Sequence, residues 1–221
     1  MRRPEGHEAR NIAGLTVGVA VLVGSAVLAR RPRSGAEVGI FRSANTLPNR
    51  AFPLIWTAMQ YGTFGVVPVA AGVALAARKP RLAASIALGG TAAWLTAKAA
   101  KRVVARGRPA SLIGGVQQRG VEEGDQGFPS GHAAVSTAMT VILWPDASMS
   151  GRLTLAALAG VVPFGRMYVG AHLPLDLVGG SALGLALGSA INLVRGAAAR
   201  DHGGLGAGGP VPTCERGTGG W

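Results

Sequence analysis

Residues 101–109 read KRVVARGRP, residues 128–132 read FPSGH and residues 166–176 read RMYVGAHLPLD. Each stretch stands at the end of an apolar run, so three separate segments carry cations, a helix N-terminus and two histidines. The number of apolar segments decides whether these groups meet. Crossing a bilayer core of ~30 Å takes roughly 20 residues of helix at ~1.5 Å each. Uncharged runs approaching that reach recur from Asn11 to Ala29, Ala51 to Ala77, Leu82 to Ala97, Gln126 to Pro145, Leu153 to Gly165 and Leu177 to Val194. The second contains Pro53, Gln60, Gly62 and Pro68, too many breakers for one straight helix, so a connection near Gln60 to Thr63 precedes a tilted span. Arg166 interrupts the fifth. The expected fold is all-α, a six-transmembrane-helix bundle.

Six crossings put both termini on one side and the connections after spans one, three and five on the other. Lys101 and Arg108 leave span three, Pro129 to His132 enter span four, and Arg166 to Asp176 join spans five and six. All three stretches then share a face. Lysine and arginine are spread over both sides, so charge alone does not choose the orientation.

Composition agrees with a membrane chain: of 221 residues, 48% are apolar and 14% charged, unusual for a soluble protein of this size. The formal charge of +12 is scattered over loops instead of forming one stripe, which argues against nucleic acid and for anionic lipid as the partner. Arg2, Arg3 and Arg10 give the first run the look of a signal peptide, but its length and the flanking Arg30-Arg31 favour a retained span. Its Gly14, Gly18, Gly24 and Ser25 permit close helix packing. The segment Arg30 to Arg50 mixes Val38, Ile40, Phe41, Ala44 and Leu47 with Arg33, Glu37, Arg42 and Arg50 and reads as an interfacial helix after the first span, a polar loop being the alternative. Residues 1–10 read as a polar N-terminal tail, 11–195 as the membrane domain and 196–221 as a disordered glycine-rich tail. The lone Cys214 permits no internal disulfide and no cysteine metal cluster. Neither a metal nor a cofactor is expected, and the oligomeric state is not set by the sequence.

Lys101 and Arg108 lie about two helical turns apart, so both lean toward one site if the helix continues past Lys101. Arg108 offers a planar fork for phosphate oxygens and Lys101 a point charge; a snorkelling basic flank is the alternative. Ser130 and Gly131 open an apolar helix with a hydroxyl and free N–H groups at the positive end of the helix dipole, an anion site from whose first turn His132 projects. Simple capping by Ser130 is the alternative. His172 and Asp176 are four apart where Pro174 begins a helix, so the carboxylate can bond one imidazole nitrogen and leave the other basic. With Arg166 nearby, an intramembrane structural salt bridge competes with that reading. Glu37 and Gln60 have no such company and read as structural.

Together the stretches resemble the type 2 phosphatidic acid phosphatase (PAP2) superfamily, which also includes vanadium haloperoxidases. Its signature is a lysine, six residues and Arg-Pro; then Pro-Ser-Gly-His; then Ser-Arg, five residues, His, three residues and Asp. Lys101 with Arg108-Pro109, Pro129-Ser130-Gly131-His132, and Arg166, His172 and Asp176 fit in order, while Gly165 stands where the family usually has serine. The resemblance implies a metal-independent lipid phosphatase with a phosphohistidine intermediate. His172 is the expected nucleophile, Asp176 its orienter, and His132 the acid that protonates the leaving group and then activates water. Lys101, Arg108, Ser130, Gly131 and Arg166 are the expected phosphate-binding residues. Polyprenyl diphosphate, polyprenyl-phosphoryl sugar phosphate, phosphatidylglycerol phosphate and phosphatidic acid are the family's candidate substrates, and the plasma membrane with an extracytoplasmic site is the implied location. A lipid phosphotransferase using the same site, or a non-catalytic transporter or lipid-binding protein, are the alternatives; a haloperoxidase would need a large soluble helical body that this chain lacks.

Overall fold

The computed structural model describes residues 4–120 and 124–204. Its elements are α1 (Pro4–Ala29), α2 (Gly35–Asn45), α3 (Phe52–Met59), α4 (Val66–Ala76), α5 (Pro80–Val104), α6 (Pro109–Leu112), α7 (Gly131–Leu143), α8 (Met149–Tyr168) and α9 (Pro174–Gly204), with short 3-10 turns at Asn49–Ala51, Gln60–Gly62 and Trp144–Asp146. The chain is therefore all-helical, as expected. Local chemistry sets the boundaries: Ser34, Ser130 and Ser148 cap α2, α7 and α8 by accepting from the N–H groups of Glu37, Ala133 and Gly151. Pro174 occupies the first turn of α9, and Ala105, with φ +50°, ends α5 in the left-handed region.

Close packing comes from small residues. A Cβ on Gly14 would lie 2.4 Å from Ser189 Oγ and one on Gly18 2.7 Å from Ala186 N, which brings α1 onto α9; one on Gly24 would meet nothing within 4 Å. Gly180, Gly184 and Gly188 repeat every four residues along α9 and let α7 approach, with Gly184 only 2.3 Å in the same sense from the Ala134 carbonyl. The interior is accordingly built from Ala93, Ala134, Val135, Ala138, Met139 and Ile142. Many other apolar side chains point outward: Val23, Val69, Val73, Leu88, Leu95 and Val194 are all exposed, an arrangement that suits lipid and not water.

Among the described residues, two helices are able by length and composition to cross a membrane, Gly6–Ala29 and Pro174–Ala198, or three if the pair Asn49–Gly62 and Val66–Ala76, bent by 67°, counts as one span. The bend falls at the expected Gln60 to Thr63 break. α7 has only 13 residues, ~20 Å of helix, and its N-cap Ser130 is fully buried.

Four boundaries differ from expectation. α1 already begins at Pro4, so residues 4–10 extend a helix and are not a tail; α8 runs through Pro163 and Arg166 to Tyr168. α5 passes Lys101 but stops at Val104, so Arg108 reaches inward from beyond a turn and not from the same helix. α9 continues to Gly204, into the segment read as a tail; residues 205–221, on which the rest of that reading falls, lie outside the described residues. The segment after α1 is a helix, with Glu37, Phe41, Ala44 and Asn45 buried.

Candidate active site

The C-terminal ends of α1, α5 and α8 and the first turns of α7 and α9 gather at one end of the bundle, so the three stretches meet as expected. Direct bonds show this convergence. Arg30 Nη2 donates to the Val103 carbonyl at 3.0 Å, joining the ends of α1 and α5. Lys101 Nζ donates to the carbonyls of Gln126 (2.6 Å) and Gly127 (3.2 Å), and Arg108 donates from Nε to Gly124 O (2.6 Å) and from Nη1 to Ala171 O (3.1 Å). An isolated bridge pairs Gly107 with Gln126, and a cis Phe128–Pro129 bond leads into α7. The two cations thus tie the loop that precedes Ser130 to the loop that carries His172.

Ser130 N donates to Asp176 O at 2.9 Å, and the Arg166 carbonyl accepts from the N–H groups of Ala171 (3.0 Å) and His172 (3.2 Å). His132, one residue into α7, lies in the electrostatic field of Arg166, His172, Arg108 and Lys101. All eight residues singled out in the sequence are therefore brought to one place. A Cβ on Gly131 would meet nothing within 4 Å, so the first turn of α7 presents open backbone to the space among these groups.

His172 and Asp176 are both buried, with His172 Nδ1 3.6 Å from Asp176 Oδ2. That is beyond hydrogen-bond length, and Nδ1 has no other hydrogen-bond partner among the described residues. Asp176 is nevertheless fixed: Oδ2 accepts from Leu173 N at 2.9 Å and Oδ1 from Arg106 Nη1 at 2.9 Å. Nδ1 faces the carboxylate, so Nε2 is the nitrogen left for chemistry. Burial, first, and the charges of Arg166, Lys101 and Arg108 push the His172 pKa well below 6.5, opposed by the Gly127 backbone.

Two findings correct the sequence reading. Gly165, where the sequence reading leaves one possible hydrogen bond missing, faces α3 instead: a Cβ there would lie 2.6 Å from Met59 Cγ and 2.9 Å from Ile55 Cγ2. The glycine serves the contact of α8 with α3. Glu37, read as an isolated structural acid, instead bonds Arg106 Nη2 at 2.7 Å from Oε2, and Arg106 reaches on to Asp176. One signal was present, since Glu37 is the only acidic residue between Glu8 and Glu122. Arg106 carried none beyond standing two before Arg108.

The profile of the PAP2 superfamily matches residues 81–200, which contain every one of these motif residues. The chain belongs to the PAP2 superfamily. A curated relative, the undecaprenyl-diphosphatase of Sulfolobus acidocaldarius, is 29% identical over 119 residues, which are 53% of this chain and 57% of that protein. The PAP2 chain described here thus spans little more than half the length of that relative. Two solved structures share the fold. Aquifex aeolicus LpxE superposes with a TM-score of 0.67 at 20% identity, over 73% of this chain and 97% of that one. A PAP2-type phosphatidylglycerolphosphate phosphatase from Bacillus subtilis superposes with a TM-score of 0.63 at 20% identity, over 80% and 94%.

Proposed function

We propose that this chain is an integral-membrane lipid phosphatase that removes phosphate from a lipid phosphate or diphosphate through a phosphohistidine intermediate. The observation that carries this reading is the meeting of three cations, a recessed helix N-terminus and two histidines at one end of an apolar bundle whose outer surface suits lipid. The substrate phosphate sits over Gly131, held by Lys101, Arg108, Arg166, the Ser130 hydroxyl and the Gly131 N–H, which stabilise the charge spread over its oxygens in the transition state. His172 Nε2 attacks phosphorus and the bond to the lipid oxygen, or to the inner phosphate of a diphosphate, breaks. His132 gives that leaving oxygen its proton. Water then attacks the phosphohistidine, His132 takes the water proton, and inorganic phosphate leaves with His172 regenerated.

In this reading the bundle crosses the membrane six times, α2 lies along the interface, and the site opens on the extracytoplasmic face of the plasma membrane, where a headgroup reaches it from the lipid surface. The name of the Sulfolobus relative makes a polyprenyl diphosphate the first substrate to try, with phosphatidylglycerol phosphate and phosphatidic acid beside it. The test is phosphate release by the purified protein from that panel in EDTA, with His172→Ala alongside. Release from at least one lipid that His172→Ala abolishes supports the reading; equal release by both proteins, or none from any lipid, sinks it.

A further inference from the structure

A chain of three buried ionic groups runs from α2 to the catalytic end of α9. Glu37 Oε2 accepts from Arg106 Nη2 at 2.7 Å, and Arg106 Nη1 donates to Asp176 Oδ1 at 2.9 Å; the side chains are 5%, 5% and 0% exposed. The remaining carboxylate oxygens are also committed. Glu37 Oε1 accepts from Leu175 N at 3.2 Å, and Asp176 Oδ2 accepts from Leu173 N at 2.9 Å while facing His172 Nδ1. Leu175 N belongs to the first turn of α9, where N–H groups lack partners within the helix, so Glu37 caps that turn from another element. Ser34 in turn anchors Glu37, accepting from its N–H at 3.1 Å.

A network of this kind is a poor device for stability alone. Burying charges costs so much desolvation that replacing such a pair with apolar residues of similar volume is often neutral or stabilising. It is well suited to holding one atom still. Asp176 Oδ2 can face His172 Nδ1 only if the carboxylate is prevented from rotating about its own bond, and Oδ1 is clamped by a guanidinium that is itself clamped by Glu37. A lysine would not serve, because a point charge cannot present two rigid donors to two carboxylates in different directions.

Resting on the phosphohistidine reading above, we propose that Glu37 and Arg106 are positioning residues for the reaction, fixing Asp176 so that His172 presents Nε2 to phosphorus. They touch no reacting atom and act through Asp176 and the first turn of α9 that carries it. α2 thereby becomes part of the catalytic apparatus, not merely a cover over the bundle.

The test is a double-mutant cycle in the full-length protein. Glu37→Gln lowers kcat about 10- to 100-fold, the scale on which removing an outer partner of an oriented group acts, and leaves KM for the lipid phosphate nearly unchanged because the phosphate-binding cations are untouched. In an Asp176→Asn background the same change costs little more, since residues acting as a unit are non-additive. Losses that multiply in the double variant, or a Glu37→Gln protein with wild-type kcat, overturn the proposal. Arg106→Lys carries the same cycle if Glu37→Gln does not fold, and it too must lose kcat with KM kept. His172→Ala separates the two claims: an active His172→Ala protein removes the phosphohistidine reading itself, whereas an inactive one with multiplicative Glu37 and Asp176 losses removes only this inference.

Discussion

The N–H of Ser130 donates to the carbonyl of Asp176 at 2.9 Å, so the first turn of α7 is bonded to the first turn of α9. That bond sets His132 and His172 relative to one another, and it exists only because the two helices touch along Gly180, Gly184 and Gly188. A methyl group on Gly184 would lie 2.3 Å from the Ala134 carbonyl and 2.8 Å from Ala138 N, backbone atoms that cannot give way cheaply. Gly184→Ala therefore destabilises by about 1–3 kcal/mol, the range for overpacking, and lowers activity with it. Gly24→Ala, whose Cβ would meet nothing within 4 Å, is the matched control and leaves thermal unfolding in detergent unchanged or slightly raised. Equal midpoints for the two variants would refute the packing account.

Restoring the serine that the family usually carries at position 165 gives no gain. The added side chain meets Met59 and Ile55 on α3, not the phosphate space. Gly165→Ser is expected to lower the unfolding midpoint with no rise in kcat/KM. A more active, equally stable Gly165→Ser protein would show that α8 can rotate its 165 position into the site.

Arg108 shows how a short substitution separates charge from geometry. Its Nε and Nη1 bond Gly124 O and Ala171 O, one residue before His172. Lysine keeps the charge but has no fork to hold both loops. Arg108→Lys is expected to lose about 100-fold in kcat/KM, in the range for removing one donor to a developing oxyanion, and to weaken competitive inhibition by vanadate in parallel. A variant that lost activity but bound vanadate as tightly as the wild type would place Arg108 outside the phosphate cradle.

The gathering of the three motifs was legible because it follows from counting apolar runs and from capping chemistry that acts over one turn. Ser130 before an apolar helix, Pro174 before another and the breakers Gln60 to Thr63 all marked local events, and each falls where expected. Helix ends inside polar segments were less legible. Residues 4–10 carry charge yet continue α1, since a helix already nucleated extends at little cost per residue. The facing of Gly165 was not legible at all, and the solitary charge of Glu37 marked that residue without naming its partner Arg106. The first depends on which side of α8 meets α3, the second on where the segment after α5 passes α2, and no sequence period relates either pair. Glu37 and Arg106 are 69 positions apart, and nothing local couples them.

The pH profile tests the division of labour between the histidines. Burial, then Arg166, Lys101 and Arg108, hold the His172 pKa well below 6.5 in the free protein. A lowered pKa keeps the imidazole neutral, hence nucleophilic, to lower pH, so the acid limb of kcat/KM, which reports the free enzyme, falls below the ordinary histidine range. Bound phosphate offsets the same cations, so the acid limb of kcat lies at higher pH than that of kcat/KM. Removing one of the cations acts in the same direction: Arg166→Gln weakens the second-largest cause of the shift, raises the His172 pKa and moves the acid limb of kcat/KM upward, beyond the loss in rate. In the mechanism proposed above the alkaline limb belongs to His132, which must carry a proton to release the lipid oxygen and lies in the field of the same cations as His172, so the rate optimum lies on the acidic to neutral side. An acid limb that stays fixed in Arg166→Gln would separate that arginine from His172, and a rate plateau continuing to high pH would remove His132 from the role of acid.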